Sequence, residues 1–434
     1  MVDYNPLSQE ARNGAAHRAF AELRASCPVH YQKIPDDQVI SADDGYLVTA
    51  PTHEFWSVFR YADCMRMLQE TDVFSSKEGP GPERGLTLTE DGMLLTADPP
   101  VHRQQRQIAN QAFFPRMIEK RRPLMESTVT DLLDRFADQG RLDVIEDLGT
   151  ELTTTLITDI MGVGMDRRGD LKQWAIDIIT GFGGDPSLIS KAIIAVTEFS
   201  AFLMEMITER RTALAEGRAL PDDMLSVLIT ADHEGVRFTD EEILMACHQM
   251  LGAGYETTTT GLGNAVQLLC VHPEQRRKLE ADWSLIDAAV EEVLRLESPV
   301  EGTFRTTTRD VDVAGVTIPA GAKVRVVYAS ANRDDTVFED PHTFRIDRPL
   351  NQLRKHVAFA HGIHSCLGAA LARMEMRLAV EMLLRRFPGL ELDPDHPPIR
   401  NTGMTINGYS SLPVRWDPAE ARPSADLASA GPAG

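Results

Sequence analysis

Two histidines and one cysteine fall within six residues in "FAHGIHSCLG", residues Phe359 to Gly368. Three chemistries compete for the thiol of Cys366. It is a buried small hydrophobe, one corner of a His/Cys metal site with His361 and His364, or the thiolate ligand of a haem. Cys366 stands just before "LGAALARMEMRLAVEMLLRRF", whose apolar residues recur at helical spacing. The free N–H groups and dipole of a helix start favour an anion, and so a thiolate. Gly362 and Gly368 flank the cysteine and let backbone and a flat ligand approach closely. A zinc site of His361, His364 and Cys366 is cramped, and no matching ligand pair stands out elsewhere.

Four more groups have chemistry in their spacing. "AGYETT", Ala253 to Thr258, lies inside a long helical run. A run of threonines beside two glycines is poor helix interior, and local preference violated in this way points to function. The plain alternative is threonines bonding back to their own carbonyls. Glu292 and Arg295, three apart, share a helix face and can pair. On a surface such a pair contributes little. His102 and Arg106, four apart, can reach one anion, and Arg305 offers a planar fork suited to a carboxylate. Alone, each of these cations reads as solvated surface.

The set as a whole resembles the cytochrome P450 family. Phe359, Gly362, Cys366 and Gly368 match its Phe-x-x-Gly-x-x-x-Cys-x-Gly loop, with Ala360 where a glycine commonly follows the phenylalanine. The resemblance implies that Cys366 is the proximal thiolate, and so the metal ligand, of a haem b. An anionic sulfur pushes electron density onto the iron. It implies an acid–alcohol pair, with Glu256 relaying protons and Thr257 hydrogen-bonding the oxygen substrate. His102, Arg106, Arg305 and His364 become propionate partners. Ala253, Phe359 and Gly368 lie against the macrocycle. The Glu292–Arg295 pair becomes a buried support of the cysteine loop. Weaker similarity covers nearly the whole chain.

The elements that must position these residues are mostly helices. "HRAFAELRAS" and "YADCMRMLQE" read as helices and "EFWSVFRY" as a strand. From 101 to about 279 helical patterns dominate, broken at 181–187 and 215–223. Short extended pieces follow in "RTTTRDVDVAGVTI" and "AKVRVVYAS", and a last helix runs from about 367 to 386. The Gly/Pro/Thr-rich stretch 76–100 is a long loop, a frequent carrier of function. The expected architecture is mainly α with small β-sheets, the cytochrome P450 fold. Its haem lies between a long distal helix and the proximal cysteine loop. One domain spans 1–418, and an Ala/Pro/Ser-rich tail from 419 to 434 is expected to be disordered.

Composition bounds the partners. The chain of 434 residues is 43% hydrophobic, enough for a sizeable core. A net charge of −21, with no segment dominated by Lys or Arg, argues against nucleic acid. Five scattered cysteines without a CxxC pair argue against a disulfide framework and for a reducing, cytoplasmic setting. No signal peptide, membrane span or fused flavin domain is read. The resemblance therefore implies a monomeric monooxygenase. It takes O2, a lipophilic small molecule, and electrons from a separate ferredoxin and ferredoxin reductase. Arg103, Arg106, Arg116, Lys355 and Arg377 are the candidate basic docking face. Expected pocket walls are 78–97, 174–200, 251–257, 301–304 and 402–406. Two rival functions share the fold or the cofactor: a peroxide-driven peroxygenase, and a haem-binding or sensing protein without turnover. The intact Glu256–Thr257 pair speaks against the first.

Overall fold

The computed structural model describes residues 16–33, 54–82, 92–182, 186–401 and 405–424. Helices dominate. The longest, Asp240–Val271, is the distal helix. It starts at a capping box: Glu242 N–H donates to Thr239 Oγ1 at 3.2 Å, and Thr239 N–H donates to Glu242 Oε2 at 2.9 Å. Three acids fill its first turn, which suits the helix dipole. The threonine run survives because Thr258, Thr259 and Thr260 are buried against neighbours. Thr259 Oγ1 meets Thr153 Oγ1 at 3.2 Å and bonds back to the Tyr255 carbonyl at 3.1 Å. Tertiary packing here overrides a weak local preference.

Three other helices share one core with the distal helix. They are Arg122–Phe136, Ile286–Leu296 and Ala369–Arg386. We call the last two the glutamate helix and the cysteine helix. Leu262, Val266 and Leu269 meet Val290, Val293, Met376, Ala379, Leu383, Val129 and Leu133, all buried. Each of the Val, Leu and Met side chains contributes about 1.5–3 kcal/mol by leaving water. This block fixes the floor and back of the site. The sequence-expected start of the cysteine helix shifts from 367 to Ala369, because Gly368 is its N-cap.

A five-stranded sheet supplies the side wall. Its order is Val29–Lys33, Glu54–Val58, Lys323–Val327, Gly302–Thr307, Phe74–Ser75. Glu54–Val58 and Lys323–Val327 run parallel, and the other pairs are antiparallel. In Gly302–Thr307 the side chains alternate between faces. Phe304 packs edge-on against Phe55, centroids 5.1 Å apart. Thr303 and Arg305 face the cavity.

Two features were not legible. Strand Arg141–Asp143 and a π turn at Val144–Thr150 add a further break to the region where helical patterns dominate. Residues 419–424, placed by composition in a disordered tail, are tied to the rest of the chain. Pro418–Glu420 forms a 3-10 turn, and Arg422 N–H donates to the Arg386 carbonyl at 2.9 Å. Residues 425–434 lie outside the described residues, as do 83–91 of the long loop and 402–404.

Candidate active site

Cys366 sits between the 3-10 turn Gly362–His364 and the cysteine helix. Its amide donates to the Phe359 carbonyl at 2.9 Å, which closes the loop. The side chain is exposed only into a cavity and is otherwise wrapped by protein. Burial pushes the thiol pKa up, while the Gly368 N–H, Arg106 and Arg373 pull it down. The expected helix-start contact is therefore present, through the Gly368 amide. A metal bound at the sulfur would tip this balance to thiolate.

Two adjacent carboxylates on the glutamate helix hold the loop. Glu292 and Arg295 are both fully buried, with Nε–Oε2 at 2.7 Å and Nη2–Oε1 at 2.9 Å. Arg295 also donates to the carbonyls of Asn332 and Pro341. The Asn332 side chain in turn accepts the Val357 amide at 2.7 Å. The neighbour, Glu291, takes His356 and Arg373. The doublet "EE" before "VLR" was the available signal, and sequence reasoning used only its second member.

The cavity lies between the cysteine loop and the distal helix. It encloses about 1760 Å³ of empty space, its open mouth included. Cys366, Phe359 and Gly368 form one wall, and Ala253, Gly254, Thr257 and Thr258 the opposite one. His102, Arg106, Arg305 and His364 close one end. The rings of His102 and His364 lie 4.2 Å apart, and His364 Nε2 is 3.1 Å from Ser76 Oγ. Burial first, then Arg106, holds His102 down to about 4; burial first, then Arg305, holds His364 down to about 2. Both rings are thus neutral near pH 7, and the two arginines carry the positive charge. Arg106 donates to Asn110 Oδ1 and Arg305 to the Phe304 carbonyl. Among the described residues neither arginine has a carboxylate partner. Arg305 is only 4% exposed. A buried guanidinium with no carboxylate in contact suits an anion in the cavity.

On the distal wall, Thr257 donates its hydroxyl to the Ala253 carbonyl at 2.7 Å. Glu256 is not among the lining residues, and burial raises its pKa. The remaining walls depart from expectation. Of 301–304 only Thr303 lines the cavity, since Glu301 pairs with Arg325 at 2.9 Å and Phe304 faces the other way. No described residue of 174–200 lines it, because Trp174 and Phe199 pack into a second core. From the long loop, Leu94 and Leu95 do. Two glutamines that the sequence reading missed pin that turn. Gln105 accepts the Leu94 amide at 2.7 Å, and Gln249 donates to the Met93 carbonyl at 2.7 Å. Glu375 was also missed. It lines the cavity with a buried, unpartnered Oε2, and burial pushes its pKa up to about 8.

Comparison with known proteins decides the family. The cytochrome P450 family model matches residues 46–411. The chain belongs to the cytochrome P450 family. Its P450 relatives include monooxygenase PikC of Streptomyces venezuelae, 36% identical over 96% of this chain and 94% of that one. The steroid C26-monooxygenase of Mycolicibacterium smegmatis is 32% identical over 94% of each. The crystal structure of CYP109E1 from Bacillus megaterium in complex with testosterone superposes with a TM-score of 0.79. It is 29% identical over 95% of this chain and 100% of that one. The activity is haem-thiolate monooxygenation, and the P450 cofactor is haem b.

The cavity of this P450 fits that cofactor. A Cβ built on Gly368 meets no protein atom within 4 Å, so nothing in the chain itself demands glycine there. A flat group against the loop would. Two unpaired arginines suit two propionates. The exposed thiol supplies the donor. Among the described residues no cluster of three His, Cys, Asp or Glu side chains is placed to hold a bare metal ion. His361 points outward and His364 toward His102, which separates them from a zinc geometry with Cys366. Among the described residues no helix is long and apolar enough to cross a membrane.

Proposed function

We propose that Cys366 is the thiolate ligand of haem b and that the enzyme inserts one oxygen atom from O2 into a lipophilic small molecule. The observation that carries this is the opposition of Cys366 and Thr257 across one cavity, with Arg106 and Arg305 unpaired at its end. When bound, haem supplies the iron at which O2 is reduced and activated. Arg106 and Arg305 hold the propionates, with His102 and His364 as hydrogen-bonding neighbours. Ala253 and Gly254 leave room on the distal side. The Thr257 hydroxyl, now given to the Ala253 carbonyl, can turn to the oxygen substrate. Glu256, half-buried behind the wall, can carry protons from solvent to that hydroxyl. The substrate space is apolar: Leu94, Leu95, Ile157, Ile160, Met161 and Val300 face it. That lining supports a lipophilic substrate, as do the steroid named for one relative and the testosterone in the related crystal structure.

Electrons come from a separate ferredoxin and its reductase, and the protein acts as a cytoplasmic monomer. Exposed Arg103, Arg116 and Lys355 support docking of an acidic partner. Arg106 serves the cavity instead, and Arg377 already faces Asp287 at 3.7 Å. Five free cysteines support a reducing compartment. The test is the spectrum of reduced protein under carbon monoxide. The parent should show the red-shifted band of a thiolate haem, and Cys366→His should lose it. Survival of the band in that variant would assign the iron to another residue.

A further inference from the structure

Glu291 is 3% exposed and joins the two residues that bracket the cysteine loop. Its Oε2 accepts from His356 Nε2 at 2.7 Å, and its Oε1 accepts from Arg373 Nε at 2.5 Å. The other imidazole nitrogen, Nδ1 of His356, accepts the Ala358 amide at 3.2 Å. The ring proton is therefore on Nε2 and goes to Glu291. Arg373, on the far side of the loop, holds its guanidinium 4.4 Å from the centre of the Phe359 ring. Phe359 in turn accepts the Cys366 amide. Ala358, Phe359 and Cys366 all line the cavity. One carboxylate thus reaches the loop by two routes, through His356 to Ala358 and through Arg373 to Phe359. The fold does not require a second anchor for this helix, since Glu292 already binds Arg295, Arg348 and the Arg345 amide.

We propose that Glu291 is a positioning residue for Cys366: it fixes Phe359 and Ala358 and balances the Arg373 charge beside the sulfur. This rests on the reading of Cys366 as the ligand. Arg373 is 34% exposed, so water and salt reach its outer edge while Glu291 neutralises its inner one. Removing either charge should change the charge sensed at the loop, in opposite directions. A support that is merely structural would loosen the loop the same way whichever partner is lost.

The test uses the holoenzyme, and its first readout is the thiolate band of the parent. A parent without that band removes both readings. A parent with it isolates Glu291. Glu291→Gln, which keeps shape and loses a negative charge, should favour the reduced state. The one-electron equilibrium constant should rise on the order of tenfold, ~59 mV. Arg373→Gln should shift it the other way by a similar factor, and the double variant should return close to the parent. Arg373→Lys, which keeps the charge on a residue at the surface, should stay near the parent and guards against misfolding of the buried variant. Shifts of one sign in both single variants, no shift in either, or a Lys variant that behaves like Gln would overturn the proposal.

Discussion

Ala360 and Gly362 both hold left-handed backbone, φ 56° and 73°, on either side of His361 in the loop that presents Cys366. The two positions are not equivalent. A Cβ on Gly362 would lie 2.5 Å from the Leu68 carbonyl oxygen, so glycine is demanded by contact as well as by conformation. Ala360 carries its Cβ into the same backbone region, where the family commonly has glycine. Its amide hydrogen bond to Val357 holds it there. An alanine in this conformation costs about 1–2 kcal/mol relative to glycine.

Ala360→Gly should therefore stabilise the protein. The relief of strain is partly offset by the freer unfolded chain, which costs about 0.4–1 kcal/mol. A net gain of about 0.5–1 kcal/mol is expected from urea midpoints with an unchanged slope. Gly362→Ala should lose at least about 2 kcal/mol. A neutral or destabilising Ala360→Gly would mean that the Ala360 side chain makes a contact worth more than the strain.

Much of this site was legible because its chemistry is written in local spacing. Cys366 with its glycines, Glu292 with Arg295, and His102 with Arg106 are each a few residues apart; Cys366, His102 and Arg106 share one cavity, and Glu292 and Arg295 form a buried pair. What escaped lies in long-range pairs. Glu291 finds Arg373 across 82 positions, and Gln249 finds Met93 across 156. No periodicity in either segment signals the partner. The described residues of 174–200 stay out of the cavity for another reason. Its apolar residues suit a pocket and a core equally, and Trp174 and Phe199 chose the core. The π turn at Val144–Thr150 likewise has no signature beyond ordinary helix pattern.

The unpaired arginines give a prediction about cofactor retention. Arg106→Ala with Arg305→Ala removes both positive charges at the end of the cavity. The propionates would then be left with only His102 and His364 beside them in a poorly hydrated site. Haem content of the purified double variant should fall severalfold, and haem should transfer faster to an apo-globin acceptor. Full retention would sink the propionate assignment.

His248 should make stability pH-dependent away from the catalytic groups. Its Nε2 lies 2.8 Å from Ser200 Oγ, and burial holds its pKa down to about 4. The unfolded chain takes up that proton near pH 6.5. Protonation thus favours the unfolded state. The contribution is fully present above pH 6.5, is lost as pH falls toward 4, and is constant below. Partial solvent access reduces it to about 1–2 kcal/mol. In His248→Gln the drop between pH 6.5 and 4 should shrink by that amount relative to the parent, read from urea unfolding at each pH. Parallel curves would remove His248 as a contributor.

Thr257 offers the sharpest test of the distal wall. Its hydroxyl now donates to the Ala253 carbonyl, which is the bond an ordinary helix threonine makes. The functional reading requires that hydroxyl to leave the carbonyl and hold the oxygen substrate while protons arrive through Glu256. Substrate binding and the first reduction need no such proton, so both should persist in Thr257→Ala. Proton delivery should fail, and reducing equivalents should leave as hydrogen peroxide. The measurement is product formed per reduced cofactor consumed, with peroxide counted alongside. A loss of coupling of about tenfold corresponds to ~1.4 kcal/mol of discrimination between the two outcomes. Unchanged coupling would make Thr257 a helix residue only. Thr258, which also lines the cavity, would then be the hydroxyl to replace next.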